Sequence, residues 1–121
     1  MDLREYYEKN DGLGILSTAD HDGNVNAAVY SRPNFLDENT VAFIMPDRLT
    51  HANLGSNPKA VYLFVEQGTK SRGKRLYLNK TSEEKNSETI DRLRRSSHGD
   101  PAEDHFLVVF RIERVLPLIG G

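Results

Sequence analysis

The chain has 121 residues, 37% hydrophobic and 28% charged, with a formal net charge of −2 at pH 7; these values fit one globular domain, 1–121, burying roughly two-thirds of its unfolded surface. The near balance of charge argues against a general nucleic-acid or anionic-membrane binder. The absence of cysteine excludes disulfides, thiolate nucleophiles, iron–sulfur clusters and cysteine-type zinc sites, so redox chemistry needs a borrowed cofactor.

Leu3, Tyr6 and Tyr7 fall at helical spacing among charges, which predicts a short helix over 2–9 that Asn10-Asp-Gly12 ends. This N-terminus has no apolar signal-peptide core, and no stretch approaches membrane-spanning length, so a cytoplasmic protein is expected. Residues 13–18 read as a strand, Asp20–Gly23 as a hairpin turn in which Gly23 supplies a positive φ, and 25–31 as the returning antiparallel strand. Pro33 lacks a backbone donor, which puts the end of that strand at an edge or bulge. After a turn at 37–39 comes a third strand, 40–45, then a short helix within 46–58, closed by Pro58.

Residues 60–65 have the apolar density of a central strand covered on both faces. Gln67 to Arg75 is a basic, glycine-containing loop, and 75–79 resumes a strand. Thr81-Ser-Glu-Glu84 has the form of a capping box and predicts a second helix, with Ile90 and Leu93 as a thin apolar edge and Gly99 and Pro101 as its stop. Residues 106–115 form the last strand. The sum is six strands without a strand–helix–strand repeat, a mainly β chain with short helices arranged as an antiparallel barrel.

The helix start after the third strand gathers Arg48, Thr50 and Asn53, which together offer N–H groups, a hydroxyl and a guanidinium, the donors a phosphate ester needs. The same residues also suit an ordinary surface helix. Ser31 and Arg32 end the preceding strand and would converge on that helix. Asp20-His-Asp22 suits a turn better than a cation site, and His98, Asp100, Glu103, Asp104 and His105 lack the fixed spacing of a metal site, so no metal is expected. The Lys70–Arg75 loop has only Tyr77 as a following aromatic and reads as solvated rather than nucleic-acid binding. No nucleophile elbow, Walker loop or His-Glu-x-x-His motif is present, and Gly12-Leu-Gly14 is not a dinucleotide fingerprint.

With these parts in order, Gly14–Thr18, Asp22-Gly23, Ala28-Val-Tyr-Ser-Arg-Pro33, Val41–Met45, Asp47-Arg-Leu-Thr-His-Ala-Asn-Leu54 and Asn57-Pro58, the chain resembles the FMN-binding split-barrel family related to pyridoxamine 5′-phosphate oxidase. The resemblance implies a six-stranded antiparallel Greek-key split barrel that forms a homodimer with flavin mononucleotide (FMN) at the interface. It implies phosphate holders at Arg48, Thr50 and Asn53, and ring neighbours at Val29, Tyr30, Ser31, Met45 and Pro46. Arg32 would serve the phosphate or a redox partner. Many members carry lysine where this chain has Leu49, so Arg48 would supply the charge. The chain stops soon after its last strand, without the segment that closes the vitamin-forming oxidases, so pyridoxamine phosphate oxidation itself is not expected.

The expected function is therefore a small flavoprotein, an oxidoreductase or electron carrier, with no nucleic-acid or membrane partner. The alternative is a non-catalytic module of the same fold holding another ligand, such as haem or a deazaflavin. Third stands a nucleic-acid-binding barrel using the Lys70–Arg75 loop.

Overall fold

The computed structural model describes residues 2–93 and 103–120. Helix α1 (Leu3–Lys9) begins where the Asp2 carboxylate accepts from the Glu5 N–H at 2.8 Å, and a Glu5–Lys9 ion pair spans one turn. Its Tyr7 is buried edge-on against Phe64, ring centroids 5.0 Å apart. Strands β1 (Gly12–Ala19) and β2 (Val25–Val29) form a hairpin. The Asp20 carboxylate makes its turn by accepting from the N–H groups of Asp22 and Asn24, and Gly23 has φ 86°.

The chain continues through β3 (Asn34–Asp37), β4 (Thr40–Pro46), α2 (Leu49–Ser56), β5 (Lys59–Glu66), β6 (Gly73–Lys85), α3 (Glu88–Leu93) and β7 (His105–Pro117). Among the described residues there are seven strands, not the expected six, in one sheet of order β2-β1-β5-β6-β7-β4-β3 with every pairing antiparallel. The additional strand, β3, has four residues directly after Pro33 and pairs only with β4; too short to carry a periodicity, it is invisible to pattern reading.

The two edge strands are consecutive in the chain, separated only by residues 30–33, a link that reaches at most about 17 Å. The sheet must therefore curl until its edges nearly meet. One face becomes the interior, where Leu16, Phe43, Tyr62, Phe64, Leu76 and Phe110, from five strands, join in one cluster. Alpha-helix α3 covers part of the outside, and Ile90 packs there against Ala42 and Leu107. Strand β4 is thus apolar on both faces, with Val41, Phe43 and Met45 inward and Ala42 outward, all buried. No helix among the described residues is long and apolar enough to cross a membrane.

Two sequence expectations are corrected. Strand β5 is not covered on both faces: Ala60, Tyr62 and Phe64 are buried, whereas Val61, Leu63 and Val65 alternate with them and are only partly covered. Thr81 to Glu84 do not cap a helix but lie within β6, paired with β7 from Lys80↔Phe110 to Lys85↔Phe106. The Thr81 hydroxyl donates to the Val109 carbonyl at 3.3 Å. Beta pairing wins because β7's other edge is already taken by β4, and leaving the second edge of so buried a strand unpaired would strand its backbone polar groups. The helix starts later, after Asn86 turns the chain at φ 48°. The expected helix stop at Gly99 and Pro101 lies outside the described residues.

Candidate functional site

The split between the edges opens a cavity of about 800 Å³, within the size range of small-molecule sites. Asn26 and Ala28 of β2 and Tyr30 just beyond it line one wall at a spacing of two residues, the period that puts side chains on one face. Phe43, Ile44 and Pro46 of β4 form the facing wall, and the start of α2 forms one end.

The sequence around α2 assigns its residues to three directions. Arg48, Leu49 and Thr50 line the cavity. His51 turns away and stacks on Phe106 with centroids 3.8 Å apart, its ring nitrogens each 3.1 Å from a carboxylate oxygen, one of Asp47 and one of Glu83. Lys80 also holds Glu83 at 2.6 Å; although burial opposes the charge, the bonds from Lys80 and His51 prevail and keep this carboxyl below its ordinary range. Asn53 and Leu54 point inward, where the Asn53 amide donates to the Thr18 hydroxyl at 3.1 Å. The helix is thereby fixed to β1, β6 and β7 while its first residues face the cavity.

That first turn is a donor-rich corner. Arg48 is the N-cap in extended conformation, and its side chain makes no capping bond, so the first N–H groups of α2 keep their donor capacity. The Thr50 hydroxyl is buried and accepts from Asn26 Nδ2 at 3.3 Å. Burial pushes the Tyr30 hydroxyl up, against its hydrogen bond to Thr50 and the charge of Arg48. The Arg48 guanidinium reaches Glu103 through Nε at 3.0 Å and Nη2 at 3.2 Å.

Residues 30 and 31 form the floor, held from inside the barrel. Fully buried Tyr62 donates its hydroxyl to the carbonyls of Ser31 at 3.0 Å and Tyr30 at 3.3 Å. Burial pushes this phenol up, so it remains a donor. The close approach requires Gly14, where a Cβ would overlap both the Tyr62 hydroxyl and the Tyr30 carbonyl.

Of the residues expected at the site, Val29, Tyr30, Ser31 and Arg32 line one side, and Pro46, Arg48, Leu49 and Thr50 the other. The Met45 and Asn53 side chains do not line it: Met45 is fully buried in the core, since its neighbour Pro46 takes the outward position, and Asn53 serves Thr18. Arg32 borders the cavity and also has a structural part. Its guanidinium is occupied by the carbonyls of Tyr7 at 2.9 Å and Asn10 at 3.3 Å and by Asp11 at 3.3 Å, so it clamps the end of α1 to the barrel. Pattern reading did not find Asn26, Asn34, Phe43, Ile44 or Leu93 as cavity residues; only the period-two relation of Asn26 to Tyr30 carried a signal.

Of the other constellations, Glu103 and His105 border the cavity and Asp104 has a structural part. Glu103 pairs with Arg48, Asp104 with Lys85 and Asn86, and the His105 ring meets the Glu103 carbonyl; His98 and Asp100 lie outside the described residues. No group of three potential ligands gathers as a metal site among the described residues. The Tyr77 ring is covered by the Arg114 guanidinium at 4.3 Å, which occupies the surface a stacked base would need.

No protein-family model matches the chain, and no curated protein matches it. Among solved structures it is similar to an FMN-binding protein from Syntrophomonas wolfei subsp. wolfei, with 26% identity, TM-score 0.76, and coverage of 98% of this chain and 84% of that one. It is similar to HupZ of Group A Streptococcus at 20% identity and TM-score 0.73, covering 100% of this chain and 97% of that one. A pyridoxamine 5′-phosphate oxidase-like protein from Lactobacillus delbrueckii shares 17% identity and TM-score 0.65, covering 93% of this chain and 88% of that one.

Proposed function

We infer that this chain, a member of the FMN-binding split-barrel family related to pyridoxamine 5′-phosphate oxidase, is a flavoprotein that holds FMN in the cavity between β2, β4 and α2. The observation that carries this reading is the donor set at one end of an otherwise mixed cavity: the Arg48 guanidinium, the Thr50 hydroxyl and the uncapped start of α2. A phosphate monoester needs this combination of charge and N–H donors. Leu49, Pro46, Ile44 and Val29 supply apolar contact for a ring, and the main chain at Tyr30 and Ser31, pinned by Tyr62, supplies fixed polar groups along it.

Bound flavin would supply electron or hydride transfer. The protein's part is to anchor the phosphate, hold the ring against residues 29–31 and exclude water from one face. Neutral Tyr30 and the hydrogen-bonded pair Asn26–Thr50 form a polar wall beside the anchor.

The complete site in this reading is a homodimer. Val25, Val29 and Leu49 are 84%, 69% and 58% exposed on the edge strand and helix start, and two of them rim the cavity. A two-fold partner would cover that rim and the open face of the ring. The test is the visible absorption spectrum of the freshly purified protein, followed by fluorescence-quenching titrations with FMN and riboflavin and by sedimentation equilibrium of the loaded protein. Failure of both flavins to bind refutes the site, and a one-chain mass at micromolar concentration with flavin bound refutes the dimer. Equal affinity for FMN and riboflavin would favour the second reading, a module for a ligand without phosphate such as a deazaflavin core, since Leu49 replaces a charge and Glu103 already occupies Arg48.

A further inference from the structure

We propose that Glu103 is the resident anion of the Arg48 site and that the cofactor phosphate binds by displacing it, so that Glu103 sets which anions the cavity accepts. This rests on the FMN reading above. The two guanidinium N–H directions that would grip a phosphate side-on, Nε and Nη2, are the two engaged by Glu103. The pair is asymmetric: the Arg48 side chain is 70% exposed, whereas that of Glu103 is 22% exposed.

The carboxylate is the fixed partner, because the residues that follow it are tied down. The His105 ring lies 2.9 Å from the Glu103 carbonyl, and buried His105 donates its N–H to Asn86 at 2.9 Å. Asp104 is held by Lys85 and Asn86. The mobile element is the arginine arm. An anion entering the corner must take Arg48 from Glu103 and then lie beside a carboxylate that has lost its partner.

A singly charged ester meets an equal competitor there. A phosphate monoester carries about −1.5 to −2 at pH 7, with a second pKa near 6, and prevails. Glu103 therefore weakens the hold of every anion on Arg48, so that a diester gains little there and a doubly ionised monoester keeps a net advantage. A filter of this kind makes FMN affinity rise with pH as the second phosphate proton leaves.

The experiment is titration of the full-length wild type and Glu103→Gln with FMN and riboflavin at pH 5.5 and 7.5. The readout is the ratio of the two affinities, which general damage to the barrel does not move. The expected result for Glu103→Gln is a ratio higher by about fivefold at pH 7.5, the scale of a partly exposed ion pair, together with a gain in FMN affinity between the two pH values no smaller than in wild type. A ratio that is unchanged or falls, with FMN still preferred over riboflavin, overturns the exchange and leaves the FMN site standing. Binding of neither flavin to the wild type overturns the site and the exchange with it.

Discussion

Replacing Tyr62 by Phe removes one oxygen and leaves the ring, so the change isolates the contact between the barrel interior and the cavity floor. The hydroxyl belongs to a fully buried side chain and is shared between the Ser31 and Tyr30 carbonyls at 3.0 and 3.3 Å. Losing one net hydrogen bond costs about 1 kcal/mol. Ser31 is exposed and its carbonyl can turn to water, whereas Tyr30 is partly covered and recovers less. The sum is about 1–2 kcal/mol, without a cavity contribution because the ring volume is kept. For a domain of this size each kcal/mol lowers the melting temperature by roughly 3–6 °C. Urea denaturation of the two proteins, compared at equal m-value, measures it. Because in the proposed site the main chain of residues 30 and 31 lies along the ring and not at the phosphate, FMN and riboflavin should weaken by the same factor. A stability loss below about 0.3 kcal/mol would refute the proposed pinning, and a loss confined to FMN would mean that the phosphate lies at the strand end.

Arg48→Ala should weaken FMN by about 1–2 kcal/mol, five- to thirtyfold in Kd, since release of Glu103 offsets part of the lost phosphate contact. Riboflavin affinity should stay within twofold, roughly the ±0.5 kcal/mol of a substitution outside its contacts, and an equal loss for both ligands would contradict the phosphate assignment. Arg32→Ala releases the carbonyls of Tyr7 and Asn10 and should cost about 1.5–3 kcal/mol of stability, seen as earlier exchange of α1 amides with deuterium; unchanged α1 protection would show that the clamp is idle. Glu83→Gln tests the anchoring of α2. The Glu83 carboxyl lies below its ordinary value of 4.5, so its contribution is fully present above that value and is lost as pH falls through the lower folded one. Wild type should exceed the variant by about 0.5–1 kcal/mol at pH 7, with the gap closing in acid; a gap that widens toward low pH would have the wrong sign.

Much of the site was legible before any tertiary information. The Asp20–Gly23 turn, the apolar strand 40–45, the helix closed before Pro58 and the donors Arg48 and Thr50 are local features, and local chemistry decides them. Apolar runs also mark 13–18, 40–45, 60–65 and 106–115 as strands, because a buried strand concentrates apolar residues, although they do not tell which face of 60–65 is buried.

Tertiary structure alone decided where these features point. Whether Thr81–Glu84 caps a helix or extends a strand depends on β7, more than twenty residues later, whose open edge needs a partner. Arg32 and Arg48 are alike in sequence, each beside a strand end, yet one is consumed by α1 carbonyls and the other stays at the cavity mouth. The role of Tyr62 depends on Gly14 making room across the β1–β5 pair. Composition and period act through neighbours in the chain and therefore identify elements and a core. Anchors, clamps and competing charges are contacts between residues far apart in sequence, and only the curled sheet brings them together.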